Sequence, residues 1–267
     1  MIREITLGQY YPSASAIHKM DPRFKIIATF SYIISLFIVA NLAAYLPVVL
    51  FLALVIAVSK VPLSYVLRGL KPIFLIIIFT VSINLFFTPG EAIFRWGFIS
   101  LTRQGISQAI FLALRLILLI MGTSMMTFTT SPIELTDGLE SLLNPLKKIG
   151  FPAHEIAMMM TIALRFIPTL LEETDKIMKA QMARGTDFES GSLIARAKNL
   201  VPILVPLFIS AFHRADELAM AMEARCYRGG EGRVRMKELK YRRLDLIGLV
   251  VLIVYFVTIF LVGRYAL

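Results

Sequence analysis

The chain has 267 residues, of which 57% are hydrophobic and 17% charged, and its mean hydropathy is +0.74. This composition leaves too little polar surface for a water-soluble fold of that length, so we predict an integral membrane protein. The net charge of +10 fits the excess of Lys and Arg in cytoplasmic loops and attraction to an anionic lipid bilayer. Basic and aromatic residues form no pattern that would predict a nucleic-acid partner.

An N-terminal membrane region with four spans is predicted over residues 1–129. Residues 26–59 contain no charged side chain and are too long for one crossing of a bilayer core of ~30 Å, so they form a helical hairpin. Basic residues flank both ends of the hairpin and place both ends in the cytoplasm. Residues 72–88 and 106–128 form the third and fourth spans. Within the fourth, Arg115 snorkels to the membrane surface, pairs with carbonyl groups of a neighbouring helix, or docks a partner.

A cytoplasmic or interfacial segment follows at residues 130–243, where charged residues and prolines interrupt the apolar stretches too often for a membrane crossing. It starts with a capping box, Ser131-Pro132-Ile133-Glu134, at the N-terminus of a helix. Two long helices are predicted at about residues 153–183 and 193–224. In each, an apolar first half precedes a charged second half, so we expect both to run from the membrane face into the cytoplasm.

A C-terminal transmembrane helix is predicted within residues 244–267, with its apolar span at 246–262. With a cytoplasmic N-terminus, five crossings place the C-terminus outside. The predicted fold class is therefore an all-α, multi-pass integral membrane protein. It has about five transmembrane helices and a long cytoplasmic segment between the fourth and the fifth.

The two long cytoplasmic helices end in the same pattern. Ala183-Arg184-Gly185 follows Asp175, and Ala224-Arg225-Cys226 follows Asp216, with the Asp nine residues before the Arg in both. An Arg suits the negative end of the helix dipole, and a small residue suits the helix exit. Cysteine rarely adopts the positive φ that glycine allows, which argues against an exit at Cys226 identical to that at Gly185.

The sequence carries no recognisable catalytic centre. The five spans contain no Asp, Glu or His, which proton-coupled transport and intramembrane catalysis usually need. The segment Gly229-Gly230-Glu231-Gly232 lacks the Lys-Ser/Thr pair and the preceding strand of a phosphate-binding loop and is interpreted as a linker. One Cys and three scattered His exclude an internal disulfide and a Cys/His zinc cage. We therefore predict that this chain is not an enzyme and itself binds no metal or other cofactor.

Three motifs resemble the transmembrane T component of energy-coupling factor (ECF) transporters: Ala183-Arg184-Gly185, Ala224-Arg225-Cys226-Tyr227-Arg228-Gly229, and His18-Lys19-Met20-Asp21-Pro22-Arg23-Phe24-Lys25. In that family the T component joins two ABC-type ATPases to a small S component that captures a vitamin or metal ion. The resemblance implies a non-catalytic coupling subunit of an importer in a prokaryotic plasma membrane, whose partner ATPases bind ATP and Mg. It also implies that Arg184 docks into one ATPase and Arg225 into the other.

The resemblance is closest to T components that serve several S components, rather than to those dedicated to cobalt, nickel or biotin. The two arms are unequal, because Cys226 stands where Gly is usual and because one helix contains Pro168 where the other contains Pro202 and Pro206. Two non-identical ATPases fit this inequality better than an identical pair.

An S-component platform is expected on the apolar halves of the two long helices. It includes Met158, Met159, Leu170, Leu204 and Phe208. By the resemblance, ATP binding moves the arginine ends and shifts the helices beneath the S component, which topples and releases its substrate inward.

Other classes of protein stay open on the residues alone. A permease subunit of a conventional ABC importer also couples to ATPases, but it normally has one coupling segment per chain and needs a polar pathway between its spans. A stand-alone secondary transporter would work without ATPases, and the lack of acids within the spans argues against it. An intramembrane enzyme ranks last for want of catalytic groups.

Overall fold

The computed structural model describes residues 10–39, 41–96, 99–188, 192–229 and 239–265. These residues form two compact units. The bundle unit contains the described residues up to 141 and those from 239 onward, and the two-helix unit contains residues 142–188 and 192–229. Of the predicted linker at 229–232, Gly229 is described and the other three residues lie outside the described ranges.

Helices make up most of both units. The bundle unit contains α1 Pro22–Ile38, α2 Tyr45–Ser59, α3 Leu63–Arg68, α4 Phe74–Phe87, α5 Arg103–Thr129, most of α6 Pro132–Leu143, and α9 Arg243–Tyr265, with a 3-10 turn at Leu42–Ala44 before α2. In the two-helix unit, a 3-10 helix at Asn144–Ile149 precedes α7 Ala153–Ala183 and α8 Leu193–Ala224. The prediction of an all-α membrane protein is thereby confirmed, apart from one small hairpin.

The predicted capping box forms at the start of α6. The Ser131 hydroxyl accepts the Glu134 N–H at 3.3 Å, and the Glu134 carboxylate accepts the Ser131 N–H at 3.4 Å. Pro145 cannot donate within a continuing α-helix, and the chain tightens there into the 3-10 helix, which ends at Gly150 with φ 85°. Local sequence chemistry therefore accounts for both ends of this segment.

A short β-hairpin connects α4 to α5 and was not predicted. Strand β1 Ala92–Trp96 pairs antiparallel with β2 Ile99–Thr102. The Thr102 hydroxyl donates to the Thr88 carbonyl at 2.9 Å and accepts the Gly105 N–H at 3.0 Å, so it joins the hairpin to the start of α5. Strands of four and five residues are too short to show a clear alternation in the sequence, so the sequence does not reveal the hairpin.

Four segments among the described residues are long and apolar enough to cross a membrane: Leu42–Ser59, Arg103–Thr129, Ala153–Ala183 and Arg243–Arg264. Three coincide with predicted spans, and the helices at the other two predicted spans, α1 and α4, are shorter, with 17 and 14 residues. The remaining segment is α7, the least apolar of the four, which the sequence predicts to lie in the cytoplasmic or interfacial segment. The chain is a multi-pass integral membrane protein.

The core of the bundle unit lies where α1, α2, α5 and α9 meet. The rings of Tyr32, Phe51 and Tyr255 stack there, with centroids of Phe51 and Tyr255 4.3 Å apart. The Tyr32 hydroxyl donates to the Leu118 carbonyl at 2.9 Å, and Ser35 and Tyr255 share a hydrogen bond of 2.6 Å. Because these bonds join different helices in an apolar interior, they fix the helices against one another.

Arg115, the charged residue within the fourth predicted span, lies against the connection between α1 and α2. Its guanidinium donates to the Val39 carbonyl at 3.2 Å and to the Tyr45 hydroxyl at 3.3 Å. It also lies over the rings of Phe111 and Phe37, at 4.8 and 5.5 Å from their centroids. Pairing with a neighbouring helix's carbonyl is therefore confirmed.

Candidate functional site

The candidate site is built on the two-helix unit. Helices α7 and α8 have the bounds that the sequence predicts, and three contacts show how they pair. The Gln181 amide donates to the Pro202 carbonyl at 3.3 Å, Asn199 donates to the Asp187 carbonyl at 2.6 Å, and Arg214 forms an ion pair of 3.5 Å with Glu173. Later residues of α7 thus meet earlier residues of α8, so the two helices are antiparallel.

This orientation corrects the expectation that both helices run from the membrane into the cytoplasm, because two antiparallel helices cannot run in the same direction. Their arginine ends lie at opposite ends of the pair. Arg184 follows Gln181, which contacts Pro202, whereas Arg225 lies about 23 residues beyond Pro202, or ~35 Å along α8. The direction of packing depends on contacts between the helices, and the composition gradient along each helix does not determine it.

Helix α7 ends in a Schellman motif at Arg184 and Gly185. Arg184 is the C-cap, and Gly185 follows it with φ 88°. The Gly185 N–H donates to the Met182 carbonyl at 3.0 Å, and the Thr186 N–H donates to the Gln181 carbonyl at 3.1 Å. These two bonds satisfy carbonyl groups that the helix end would leave without donors.

Helix α8 ends in the same motif, one residue after Ala224. The Cys226 N–H donates to the Glu223 carbonyl at 2.9 Å, and the Tyr227 N–H donates to the Met222 carbonyl at 3.0 Å. Cys226 has φ 55°, so the exit shares the left-handed conformation of Gly185, against what the preference of cysteine indicated. The physical reason is that two backbone hydrogen bonds outweigh the cost of roughly 1–2 kcal/mol for a side chain in the left-handed region.

Both arginines are open to solvent. Ala183, Arg184 and Gly185 are exposed at the end of α7, and Ala224, Arg225 and Cys226 are exposed at the end of α8. Among the described residues, neither guanidinium takes part in an ion pair. Each helix end therefore presents an arginine on a backbone that hydrogen bonds hold in place.

The residues predicted for a partner platform differ in exposure. Met159, Leu204 and Phe208 are exposed, whereas Met158 and Leu170 are half-buried. Leu204 and Phe208 belong to a longer apolar stripe along α8 that consists of Leu200, Val201, Leu204, Val205, Phe208, Ile209 and Phe212, all at least 45% exposed. Because the helices are antiparallel, the apolar half of α7 and this stripe on α8 follow one another along the length of the helix pair.

The motif at the start of α1 forms a polar network in the bundle unit. Asp21 caps α1 by accepting the Arg23 N–H at 2.9 Å, and its carboxylate also accepts two bonds from the Arg23 guanidinium. The same guanidinium donates to the Leu239 carbonyl at 3.2 Å and to the Ser141 hydroxyl at 3.4 Å, and it lies over the Tyr241 ring. The sequence motif does not by itself indicate these contacts, because Ser141, Leu239 and Tyr241 are distant from it in the chain.

Comparison with known proteins decides the family. A model of the family described as cobalt transport protein matches residues 13–236. Among curated proteins, the Energy-coupling factor transporter transmembrane protein EcfT of Clostridium kluyveri is 62% identical over 249 residues, covering 92% of each chain. The proteins of the same name from Acidaminococcus fermentans and Bacillus subtilis are 58% and 50% identical, over 98% and 95% of this chain and 98% and 96% of their own lengths.

The chain belongs to the energy-coupling factor transporter transmembrane protein family. The resemblance inferred from the three motifs is confirmed, and this ECF protein is a transmembrane component of a transporter. The family model covers both arginine ends and, of the network at the start of α1, the residues Asp21, Arg23 and Ser141. Among the described residues of this ECF protein, no group of three or more His, Cys, Asp or Glu is placed to hold a metal ion.

Proposed function

We propose that this chain is the non-catalytic subunit that couples two ABC-type ATPases to a small substrate-binding S component in an importer for vitamins or other micronutrients. The observation that carries the proposal is the pair of exposed arginines, Arg184 and Arg225, on identical helix exits at opposite ends of one antiparallel pair. ATP and Mg bind to the partner ATPases, and this chain binds neither.

Arginine suits such a docking contact because its guanidinium forms two parallel hydrogen bonds with a carboxylate, which lysine cannot do. Truncating one partner of a buried charge pair costs about 2–5 kcal/mol, enough to separate two subunits. Ends that lie ~35 Å apart along α8 leave room for one ATPase at each. The flanking small residues, Ala183 with Gly185 and Ala224 with Cys226, let a partner approach the backbone closely.

Two features support non-identical ATPases. The exits have the same backbone geometry, but Cys226 adds a side chain where Gly185 has none. The helices leading to them also differ, with Pro168 inside α7 and both Pro202 and Pro206 inside α8. Two different sockets fit these two ends better than two copies of one socket.

The S component is proposed to rest on the apolar residues of α7 and α8, including Met158, Met159, Leu170, Leu204 and Phe208. The exposed stripe along α8 supports this role, because exposed apolar surface of that extent marks an interaction site or contact with lipid. Several interchangeable S components are expected, since flexible methionines on α7 adapt to different partners. Movement of the arginine ends on ATP binding would shift this platform and tilt the S component.

The proposed topology places the N-terminus in the cytoplasm and the C-terminus outside a bacterial plasma membrane. It rests on the positive charge at both ends of the first hairpin. Labelling of single cysteines introduced at the two termini, in a Cys226→Ser background, with a membrane-impermeant maleimide tests it. Reaction from outside at the C-terminus alone is expected, and reaction at the N-terminus would contradict it.

The docking proposal is tested by conservative substitution in the whole complex. Arg184→Lys and Arg225→Lys keep the charge but lose the two-point contact, so each is expected to reduce co-purification of one ATPase and substrate uptake by at least tenfold. Arg68→Lys, at an exposed position of α3 away from both arginine ends and from the proposed platform, is the control and is expected to be neutral. Full uptake by the double Lys variant would contradict the proposal.

Two alternatives, a conventional ABC permease and a secondary transporter, are distinguished from the proposed function by the co-purifying proteins and by transport assays. Two unlike ATPases together with a small membrane-embedded S component support the proposed function. A soluble substrate-binding protein of the periplasmic type would instead support a conventional ABC permease. Transport by the purified chain without ATPases would support a secondary transporter.

A further inference from the structure

A cavity opens within the bundle unit, between α1, α2, α5 and α9. Its volume is about 350 Å³, and its walls are almost entirely apolar. Residues from all four helices line it, among them Ala28, Val55, Met126 and Val251. Cavities of this size and character hold apolar ligands rather than ordered water.

The cavity has two chemically different ends. At one end it is lined by Lys25 of α1, Val58 of α2 and Thr129 of α5, which lie near the ends of their helices. At the other end, Tyr32 and Phe51 line it and belong to the stacked aromatic core. From Lys25 to Tyr32 the cavity extends ~10 Å along α1, at 1.5 Å per residue.

Lys25 carries the charge at the first end. It is 6% exposed, and its ammonium donates to the Thr129 carbonyl at 2.8 Å and to the His18 carbonyl at 3.4 Å. An ammonium has three N–H donors, so one donor remains beyond these two bonds. No carboxylate among the described residues lies within ion-pair distance of it.

The acidic residues that attract Lys25 from further away are Asp21, Glu134 and Asp245. Each carboxylate accepts hydrogen bonds from other donors. Asp21 is bound by Arg23, Glu134 by the Ser131 N–H, and Asp245 by the N–H groups of Asp21 and Arg242. These carboxylates keep their charge and act on Lys25 from a distance, but none of them forms an ion pair with its ammonium.

We propose that the cavity binds one acyl chain of an anionic phospholipid, with the acyl chain between the four helices and the phosphate near Lys25. The argument is charge complementarity joined to shape. A buried ammonium without a paired carboxylate favours an anion, and an apolar slot that ends against an aromatic stack favours a hydrocarbon chain. Bilayer lipids are the anionic amphiphiles available at a helix end of a membrane protein. This inference is independent of the proposed coupling function.

Photo-crosslinking tests the proposal in the full chain, in the complex with which it co-purifies. The probes are phosphatidylglycerol and phosphatidylcholine with the same acyl chains, each carrying a diazirine in one chain, in lipid nanodiscs. Phosphatidylglycerol is expected to label the cavity residues Met126 and Val251 about fivefold more than phosphatidylcholine does. Equal labelling by both probes, or labelling confined to outward-facing residues such as Ile253, would overturn the proposal.

Two kinds of variant test the Lys25 charge and the open volume of the cavity independently. Lys25→Met is expected to bring the labelling ratio of the two probes to about one while labelling of the cavity persists. Val251→Trp fills the cavity and is expected to reduce labelling of Met126 more than tenfold. Val250→Trp is the matched control, because Val250 is the adjacent residue of α9, is 52% exposed and does not line the cavity.

The variants Val251→Trp and Val250→Trp still test the proposal if Lys25→Met fails to fold. Loss of Met126 labelling in Val251→Trp alone supports an acyl chain in the cavity. The same labelling in Val251→Trp and Val250→Trp overturns it, as does a cavity that takes up no lipid probe in the complete complex.

Discussion

The carboxylate of Asp245 accepts a hydrogen bond of 2.8 Å from the backbone N–H of Asp21, a residue 224 positions earlier in the chain. Its other oxygen accepts the Arg242 N–H at 2.6 Å and so caps the start of α9. One buried side chain, 4% exposed, thus fixes the start of α1 against the start of α9. The Arg23 guanidinium bonds to Asp21 in the same network.

Asp245→Ala is expected to destabilise the protein by about 1–3 kcal/mol, because it leaves the buried Asp21 N–H and the partly buried Arg242 N–H without their acceptor. Thermal unfolding in detergent micelles measures the loss. Asp245→Asn retains one acceptor oxygen and is expected to lose less. A stability of Asp245→Ala equal to that of the wild type would show that the network contributes nothing.

The left-handed conformation of Cys226 at the end of α8 predicts how substitutions at this position change the stability of the protein. Cys226→Gly removes a side chain from the left-handed region, so the protein is expected to be as stable as the wild type or slightly more stable. Cys226→Val places a β-branched side chain there and is expected to destabilise the exit by about 1–2 kcal/mol. The readouts are thermal unfolding and co-purification of the partner ATPases, which only the Val variant is expected to impair.

Gly185→Ala is the companion at the other exit. A Cβ atom at Gly185 would meet no atom within 4 Å, so any loss of stability comes from φ 88° and not from a clash. A loss of about 1 kcal/mol is expected. Equal stability of Gly185→Ala and the wild type would mean that the Schellman geometry is not needed at this end.

Gly122 allows a close approach between α5 and α1. A Cβ atom there would overlap the Tyr32 ring, so Gly122→Ala is expected to displace that ring and cost about 1–3 kcal/mol. Gly263→Ala in α9 is the control, since a Cβ atom there meets nothing within 4 Å. Thermal unfolding of the two variants is expected to differ, and identical losses would contradict the packing described for Tyr32.

The antiparallel pairing of α7 and α8 predicts which positions can be crosslinked. In a Cys226→Ser background, Gln181→Cys with Pro202→Cys is expected to react with a short bifunctional maleimide, because these residues share a hydrogen bond. Gln181→Cys with Glu217→Cys is the control and is expected not to react. Mass spectrometry of the crosslinked peptides reports both. Crosslinking of the control pair alone would support parallel helices.

Local chemistry made much of this structure predictable. The bounds of α7 and α8 follow from apolar spacing, and the capping box of α6 follows from Ser131 and Glu134 alone. The direction of helix packing and the role of Asp245 depend on contacts between distant residues, which no single segment encodes. Cys226 is a further example. Its residue type disfavours a positive φ, but the hydrogen bonds at the end of α8 stabilise one.

Because α7 and α8 are antiparallel, the length of α8 sets the distance between the two arginine ends. On the proposed function, the ATPases are held apart by the number of residues between Pro202 and Arg225, at 1.5 Å each. Deleting four residues from that part of α8 would bring the two sockets ~6 Å closer and rotate one arginine by roughly a full turn of the helix. The distance between the two ATPases thus depends on the number of residues in this part of α8. Selection can preserve that number even where the side chains between Pro202 and Arg225 change.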